Sequence, residues 1–341
     1  MTPVTPLSRL HKVRGMMCVA LDGPMLGEGI RKMLMTPNVS TARQLTAGVT
    51  VDRLKPGGKD GPDGAVRDSD QLGGGAWFEN FSVGSMDDPW RLAIPDVRMA
   101  PNQIWPMHWH DCWLAVIVLD GSCMVGDWWM ERGDVLITPA TVEYGPLLNG
   151  PKGCQLLEIF ARDILSGGGY APEYHDHPTL TYLQSKKSVA PAAFFPRPKV
   201  SEHNIGRQTT PLDTVPGAST GHLNGGGRWD LGDADDPDRG VMLDTKLPAG
   251  VTVPSHRHRD WRGVLLFEGS MRVGDEELTR DHLLIIEPDA EVPEFEVGSE
   301  GVHLLECAKT TAGTTTIFAA ADRDNPAYRD GLAVITDAAF E

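Results

Sequence analysis

The stretch PMHWHDCW, residues 106–113, returns 148 residues later as PSHRHRDW, residues 254–261. The match continues without a gap over 84–158 and 232–306, where 25 of the 75 aligned pairs are identical. Self-similarity at one fixed offset is the sequence signature of a duplicated structural unit. Each copy contains one His-x-His segment, and a chance pair of surface histidines would have no reason to appear in both copies.

Short apolar runs of β type follow one another through each copy and are separated by turn signals such as Asp120-Gly121 and Arg132-Gly133-Asp134. Short strands at this spacing predict a β-barrel or a β-sandwich. We therefore predict two β domains. The predicted order is an N-terminal segment with a Gly-rich loop (1–76), a first domain (77–162), a connector rich in Pro, Gly, Ser and Thr (163–228), a second domain (229–308) and a tail (309–341).

The composition limits the possible partners. A chain of 341 residues is long enough for two domains with separate cores. Its formal net charge of −16 argues against nucleic acid and anionic membranes. The five cysteines form no Cys-x-x-Cys pair, which favours reduced thiols and a cytoplasmic location. The longest apolar run, Leu114–Leu119, is too short to span a bilayer. A small molecule is therefore the expected partner.

The two His-x-His segments predict a metal site. On a β-strand, residues i and i+2 point to the same face, so His108 and His110 share one face, as do His256 and His258. Two imidazoles on one wall of a barrel can bind one metal ion, and imidazole suits Fe, Zn, Cu and Ni. Duplication in frame favours this interpretation.

The residues around these histidines resemble the motifs of the cupin superfamily. The first motif places Gly, His-x-His, Glu and Gly in order, and the second copy matches it at Gly250, His256, His258 and Gly269, with Arg262 in the Glu slot. The first copy matches at His108, His110 and Gly121, with Asn102 in the first Gly slot and Leu114 in the Glu slot. In the second motif, the first copy has Gly133 and Pro139, and Tyr144 takes the His slot.

This resemblance covers both repeats and implies an all-β bicupin fold. Such a fold consists of two duplicated cupin barrels (double-stranded β-helix, or jelly-roll), here with an irregular N-terminal segment and a long interdomain connector. Both copies lack two of the family's four usual metal ligands, so a third ligand is needed. Glu143 and Glu291 match at the repeat offset and follow the second-motif proline closely. Two His and one carboxylate with open positions form the facial arrangement of non-haem Fe(II) oxygenases, and the same set can hold Zn.

Several roles stay open at this point. Strand alternation favours Glu291 over Glu143, but either residue could instead form a salt bridge with the repeated Arg280 or Arg132. Tyr144 could be a ligand, an acid–base group or a substrate contact. Arg262 could bind a substrate carboxylate, since guanidinium matches carboxylate geometry, or form a salt bridge to Asp260 or Glu268. Glu158 and Glu306 could orient a histidine or form a buried ion pair, and His303 could be a third nitrogen ligand or a packing residue.

The resemblance implies a metal-dependent enzyme similar to the gentisate and quercetin dioxygenases. We expect a non-haem Fe(II) dioxygenase that cleaves an aromatic or other small apolar or carboxylated substrate. The alternatives are a lyase, isomerase or hydrolase with Zn or Mn, and a small-molecule-binding bicupin without catalysis. We expect the second barrel to be the better metal site. Seven of the nine tryptophans lie in the first repeat. Because bicupins often pack through aromatic faces, the resemblance implies a homodimer.

Overall fold

The structure, a computed structural model, describes residues 42–54, 77–162, 168–170 and 216–341. Within these ranges it leaves out 86, 89–90, 100–103, 106–107, 111, 143, 146, 237–238 and 336. Glu143, the second-motif carboxylate of the first copy, and most of the predicted connector therefore lie outside the described residues. In the described part, no helix is both long and apolar enough to cross a membrane.

Almost all regular structure in these residues is β-strand. Two strands precede the first unit, β1 (Arg43–Thr46) and β2 (Val49–Arg53). The first unit consists of β3 (Trp77–Val83), β4 (Leu92–Met99), β5 (Ile104–Trp105), β6 (His108–His110), β7 (Leu114–Val125), β8 (Trp128–Glu131), β9 (Asp134–Thr138), β10 (Leu147–Phe160) and β11 (Gly168–Tyr170). The strand β12 (Ser219–His222) comes next.

The second unit repeats this order. Its strands are β13 (Arg228–Leu231), β14 (Gly240–Leu247), β15 (Thr252–Val253), β16 (His256–His258), β17 (Arg262–Val273), β18 (Glu276–Thr279), β19 (His282–Ile286), β20 (Phe295–Ala308) and β21 (Thr316–Phe318). A short helix, α1 (Arg329–Leu332), and a last strand, β22 (Ala338–Phe340), follow. Each strand from β4 to β11 has the same bounds as its counterpart from β14 to β21 after a shift of 148 residues. The predicted all-β class and the duplication are both confirmed.

Two large antiparallel sheets form the body of the molecule. One sheet has the order β1-β2-β19-β17-β20-β14-β13 and the other has the order β12-β9-β7-β10-β4-β3. The edge strands are exchanged between the units, because β2 pairs with β19 of the second unit and β12 pairs with β9 of the first. Two small sheets, β11-β6 and β16-β21-β22, contain the His-x-His segments.

Both large sheets are buried on both faces, which explains why their central strands are continuously apolar. Side chains alternate along a strand. In β7, Ala115 and Ile117 therefore pack in a core between the two units, while Leu114 and Val116 pack inside the first unit. Strand β17 divides in the same way, with Leu265 and Phe267 between the units and Val264 and Leu266 inside the second unit. Every buried strand thus has one face towards the interior of its own unit.

Repeated glycines fix the hairpin bends in β7 and β17. Gly121 and Gly269 adopt φ of 72° and 76°, which favours glycine. A Cβ atom at either position would overlap the carbonyl oxygen of Gly153 or Gly301, which are themselves repeat partners. The close approach of two backbone segments therefore explains why both repeats have a glycine at the position of Gly121 and Gly269.

Candidate functional site

The interior of the second unit contains a cavity of about 50 Å³. Its polar lining consists of His256, His258, Glu306 and Thr316. The remaining lining residues are apolar: Leu247, Val253, Val264, Met271, Leu284, Ile286, Val292, Phe295, Leu304 and Ile335. The cavity is therefore a small, mainly apolar chamber whose polar lining includes two histidines and one carboxylate.

Strand β16 directs both histidines into this chamber with their Nε2 atoms available. The Nδ1 atom of His256 lies 2.9 Å from the backbone oxygen of Pro254, and Nδ1 of His258 lies 3.4 Å from that of Thr315. A carbonyl oxygen can only accept, so each Nδ1 carries the proton and each Nε2 carries a lone pair. The ring centroids are 5.2 Å apart. This tautomer is the one in which a histidine binds a metal through Nε2.

Burial keeps both imidazoles neutral. Loss of solvent, assisted by the nearby Arg262 guanidinium, lowers the pKa of His256 to about 4 and that of His258 to about 2. At neutral pH the two rings are therefore in the form that a metal ion requires.

Arg262 is held by an internal ion pair. Its Nη1 lies 2.8 Å from Oε2 of Glu306, and its Nη2 donates to the backbone oxygen of Gly313. The residue is only 2% exposed. The ion-pair partner of Arg262 is thus Glu306 and not Asp260 or Glu268, while its role as a hook for a substrate carboxylate stays a prediction. Of the alternatives for Glu306, the buried ion pair is the one that the structure shows, and its partner is Arg262.

Glu291 lies on the surface and does not line the chamber. The prediction that it is a metal ligand beside His256 and His258 is therefore corrected. Glu291 is exposed, and its Oε1 accepts a hydrogen bond of 2.8 Å from Ser255. The next residue, Val292, forms the backbone bridge to His256 and lines the cavity in its place. Asp289 has a left-handed φ of 58°, which breaks the alternation counted from the preceding proline.

His303 is also outside the chamber. Its Nε2 contacts Oδ1 of Asp244, and its ring lies edge-on to Phe267 at 5.2 Å between centroids. Phe267 belongs to the core between the units, so His303 faces away from the interior of the second unit. A role as the third nitrogen ligand is therefore not supported.

The first unit contains a different set of interior groups. The His110 ring lies 6.2 Å from the Tyr144 ring and 4.8 Å from that of Phe160, measured between centroids. Tyr144 is fully buried. Burial raises the pKa of Glu158, the repeat partner of Glu306, to about 7. The side chains of His108 and Glu143 lie outside the described part, so their predicted ligand roles stay predictions.

A ready three-ligand metal site is not found among the described residues: no three His, Cys, Asp or Glu side chains are grouped as such a site requires. The second unit brings together His256 and His258, with Glu306 lining the same cavity. The sequence predicts Glu306 only as a partner for a histidine or for an oppositely charged residue. The alternation in the repeated Leu-Leu-Glu could have placed it inward, because its neighbour Leu305 packs between the units.

No family model matches this chain, and no curated protein matches it. Among solved structures it is similar to oxalate decarboxylase from Bacillus subtilis, at 15% identity and a TM-score of 0.45 for one deletion mutant, with 69% of this chain and 73% of that chain covered. It is also similar to a proposed dioxygenase from Nostoc punctiforme, at 12% identity, a TM-score of 0.45 and the same coverage. This likeness concerns the fold alone.

Proposed function

We propose that this chain is a metal-dependent bicupin enzyme whose second unit binds one divalent metal ion through His256 and His258. The observation that carries the proposal is that two neutral imidazoles, each with its Nδ1 atom against a backbone oxygen, line one small cavity.

Glu306 is the best third donor. It lines the same cavity, whereas the exposed Glu291 does not. A carboxylate has two oxygens with about four acceptor sites, so Oε2 of Glu306 can keep its bond to Arg262 while the other oxygen binds a metal. When bound, Fe(II) on this donor set would offer open positions for O2 and substrate, and Zn or Mn would act as a Lewis acid. The chemical types of these donors therefore suit a divalent ion.

The volume of the chamber favours a small substrate. An apolar cavity of about 150 Å³ is known to bind benzene, and this one measures only about 50 Å³. Within the predicted Fe(II) dioxygenase activity, we therefore favour a small apolar or carboxylated molecule over an aromatic one. The homodimer and the cytoplasmic location remain predictions from the sequence.

Metal analysis tests this proposal. Protein purified without a His tag and equilibrated with Fe(II), Zn or Mn is expected to hold close to one ion per chain, and the double variant His256→Ala/His258→Ala is expected to hold little. Glu306→Gln should weaken metal retention, while the matched surface variant Glu291→Gln should not. Full metal content in the double histidine variant would contradict the proposal.

A second candidate function is small-molecule binding without catalysis. The ion pair between Arg262 and Glu306 favours it, because this pair already satisfies the carboxylate that a metal would need. The same metal analysis separates the two candidates. A wild-type protein that retains no ion after equilibration with all three metals would favour the binding protein.

A further inference from the structure

The wall of the second chamber is completed by a segment that lies outside the repeat. This segment, here called the cover, consists of residues 319–341 with 336 excepted, and it contains α1 and β22. It contributes Ile335 to the lining of the chamber. Four more of its apolar residues pack against the core inside the second unit: Leu332, Val334, Ala338 and Phe340. The sequence match ends at residue 306, so the repeat does not account for this part of the wall.

Strand β22 places the cover beside the strand that carries the two histidines. It pairs in parallel with β21, and β21 pairs with β16, so His256, Phe318 and Phe340 lie in one row across the sheet. The ring centroids of His256 and Phe318 are 5.4 Å apart, and those of Phe318 and Phe340 are 5.7 Å apart. Side chains alternate along a strand. Glu341 therefore points to the opposite face, where it is exposed.

On this outer face, two arginines hold the carboxylate of Glu341. Arg257, which lies between the two histidines, donates from Nη2 to Oε2 at 2.7 Å, and Arg259 donates to Oε1. All three side chains are more than 40% exposed. Dissolved salt screens such exposed pairs. The segment that carries both proposed metal ligands is therefore also the one to which the cover is attached, through contacts that salt weakens.

The cover is held more loosely than the rest of the chamber wall. Among its described residues, only Gly331 is buried. The other lining residues belong to strands of the sheets or, in the case of Val292, to a backbone bridge with His256. The backbone N–H of Ile335 instead donates to the oxygen of Leu332, within the cover itself. Segments with few buried contacts open locally at a lower free-energy cost than core strands do. The cover is thus the part of this wall that opens most easily.

The cover rests on the second unit at a few small or polar contacts. In α1, Gly331 lies so close to β15 that an added Cβ atom would be 2.2 Å from the backbone oxygen of Thr252. The hydroxyl of Thr314 donates to Asp337 at 2.7 Å, and the backbone N–H of Glu341 donates to the oxygen of Phe318 at 3.0 Å. These contacts fix the position of the cover without burying it.

We propose that the cover opens and closes the second chamber, with Ile335 as its plug and the Glu341 carboxylate, held by Arg257 and Arg259, as its latch. His258 is only 2% exposed, so a molecule in solution reaches its ring only when part of the wall moves aside. Release of the latch frees β22 and removes Ile335 from the chamber. The identity of what enters rests on the proposed function, whereas the opening itself does not.

Labelling of metal-free protein with diethyl pyrocarbonate at neutral pH tests the proposal. This reagent modifies neutral imidazole, and mass spectrometry reports each histidine separately, so the rate at His258 measures opening. Glu341→Gln should raise this rate roughly two- to fivefold, as the loss of an exposed ion pair predicts. Gly331→Ala should raise it roughly tenfold or more, because the new Cβ pushes α1 away from Thr252.

Salt gives an independent check of the latch. Screening is nearly complete at about 1 M salt. Sodium chloride at this concentration should therefore speed the labelling of His258 in the wild type by about as much as Glu341→Gln does at low salt. The same salt should have little further effect on Glu341→Gln. A wild-type rate that does not respond to salt would overturn the role of Glu341 as the latch.

Matched controls separate local opening from general unfolding. His303, which is buried outside the chamber, and the exposed His222 should label at wild-type rates in both variants. Glu276→Gln removes the exposed pair with Arg43 at the other edge of the sheet and should leave the rate at His258 unchanged. Amide hydrogen exchange should speed up in α1 and β22 of both variants and stay unchanged in β20.

Two results would overturn the proposal. One is labelling of His258 at the wild-type rate in both Glu341→Gln and Gly331→Ala. The other is an increase at His303 that matches the increase at His258, since the whole unit would then be unfolding. Because the labelling uses metal-free protein, its outcome does not depend on the metal analysis of the proposed function, and either test can fail while the other succeeds.

Discussion

Arg132 of the first unit donates a hydrogen bond of 2.8 Å from Nη2 to the backbone oxygen of Phe267 in the second unit, and its guanidinium lies 4.1 Å from the centroid of the Phe267 ring. The reverse contact also exists, since Nη2 of Arg280 lies 3.5 Å from the backbone oxygen of Leu119. Both arginines and both acceptors are repeat partners. The two units therefore meet through an approximate twofold exchange of arginine contacts. Arg280 makes this contact and not the predicted pair with Glu291, while the predicted pair of Arg132 with Glu143 lies outside the described residues.

This exchange is unequal, which gives a first prediction. Arg132 is more buried and also contacts the backbone oxygen of Leu119, whereas Arg280 is nearly half exposed and its contact is long. We expect Arg132→Ala to lower the free energy of unfolding by about 2 kcal/mol, through two lost hydrogen bonds and lost packing. Arg280→Ala should cost less than about 0.5 kcal/mol. Urea unfolding measures both, and equal losses would contradict the asymmetry.

The buried ion pair of the second unit predicts a rescue. Arg262→Leu introduces the residue found at the equivalent position of the first unit, but it leaves the carboxylate of Glu306 without its cation. We expect a loss of about 3 kcal/mol in the free energy of unfolding. The double variant Arg262→Leu/Glu306→Gln should recover most of this loss, because the amide carries no charge. Thermal unfolding of the three proteins checks this, and a double variant no more stable than Arg262→Leu would refute it.

A third prediction concerns acid stability. Burial pushes the pKa of Asp244 upward, but hydrogen bonds from His303, Gly225 and Asn224 outweigh it, so its pKa lies below the usual value. A lowered folded-state pKa contributes stability at pH values above the unfolded pKa of about 3.9, and this stability is lost as the pH falls further. We expect Asp244→Asn to destabilise the protein at pH 7 and the difference from wild type to shrink towards pH 3, as urea unfolding at several pH values would show. A constant difference would argue against it.

Two glycines, one inside β17 and one directly after it, can be compared as a matched pair of alanine substitutions. Gly269 and Gly274 both have left-handed backbone conformations, with φ of 76° and 60°. A Cβ at Gly269 would overlap the carbonyl oxygen of Gly301, whereas a Cβ at Gly274 would meet no atom within 4 Å. We therefore expect Gly274→Ala to cost about 1 kcal/mol, for the backbone conformation alone, and Gly269→Ala to cost several times more. Similar melting temperatures for the two variants would contradict the steric explanation.

The offset of 148 residues was sufficient to predict the duplicated strands, because identical turn glycines and apolar runs impose the same strand bounds on both copies. The exchange of edge strands was not predictable in this way. Residues 49–53 and 219–222 lie outside the sequence match, and their own sequence does not indicate which unit each of them pairs with.

The site was predicted in part for a related reason. Alternation on a strand places His256 and His258 together from the sequence alone. It failed for Glu291 because Asp289 takes a left-handed conformation just before it, and one such residue reverses which side chains point inward. The pairing of Arg262 with Glu306 joins two positions 44 residues apart on different strands, so only the fold brings it about.

The exchanged strand β2 has a consequence for how this protein is made. Its Arg53 pairs with His282, so the segment leaves the ribosome 229 residues before its partner exists. Until then its backbone groups and its apolar residues, Val49 and Val51, have no sheet to join, and the second unit in turn exposes the edge of β19 until β2 arrives. Contacts of such long range are slow to form. Strand β2 must therefore wait for the second unit, and newly made chains at high concentration are at risk of donating β2 to a neighbouring molecule's second unit.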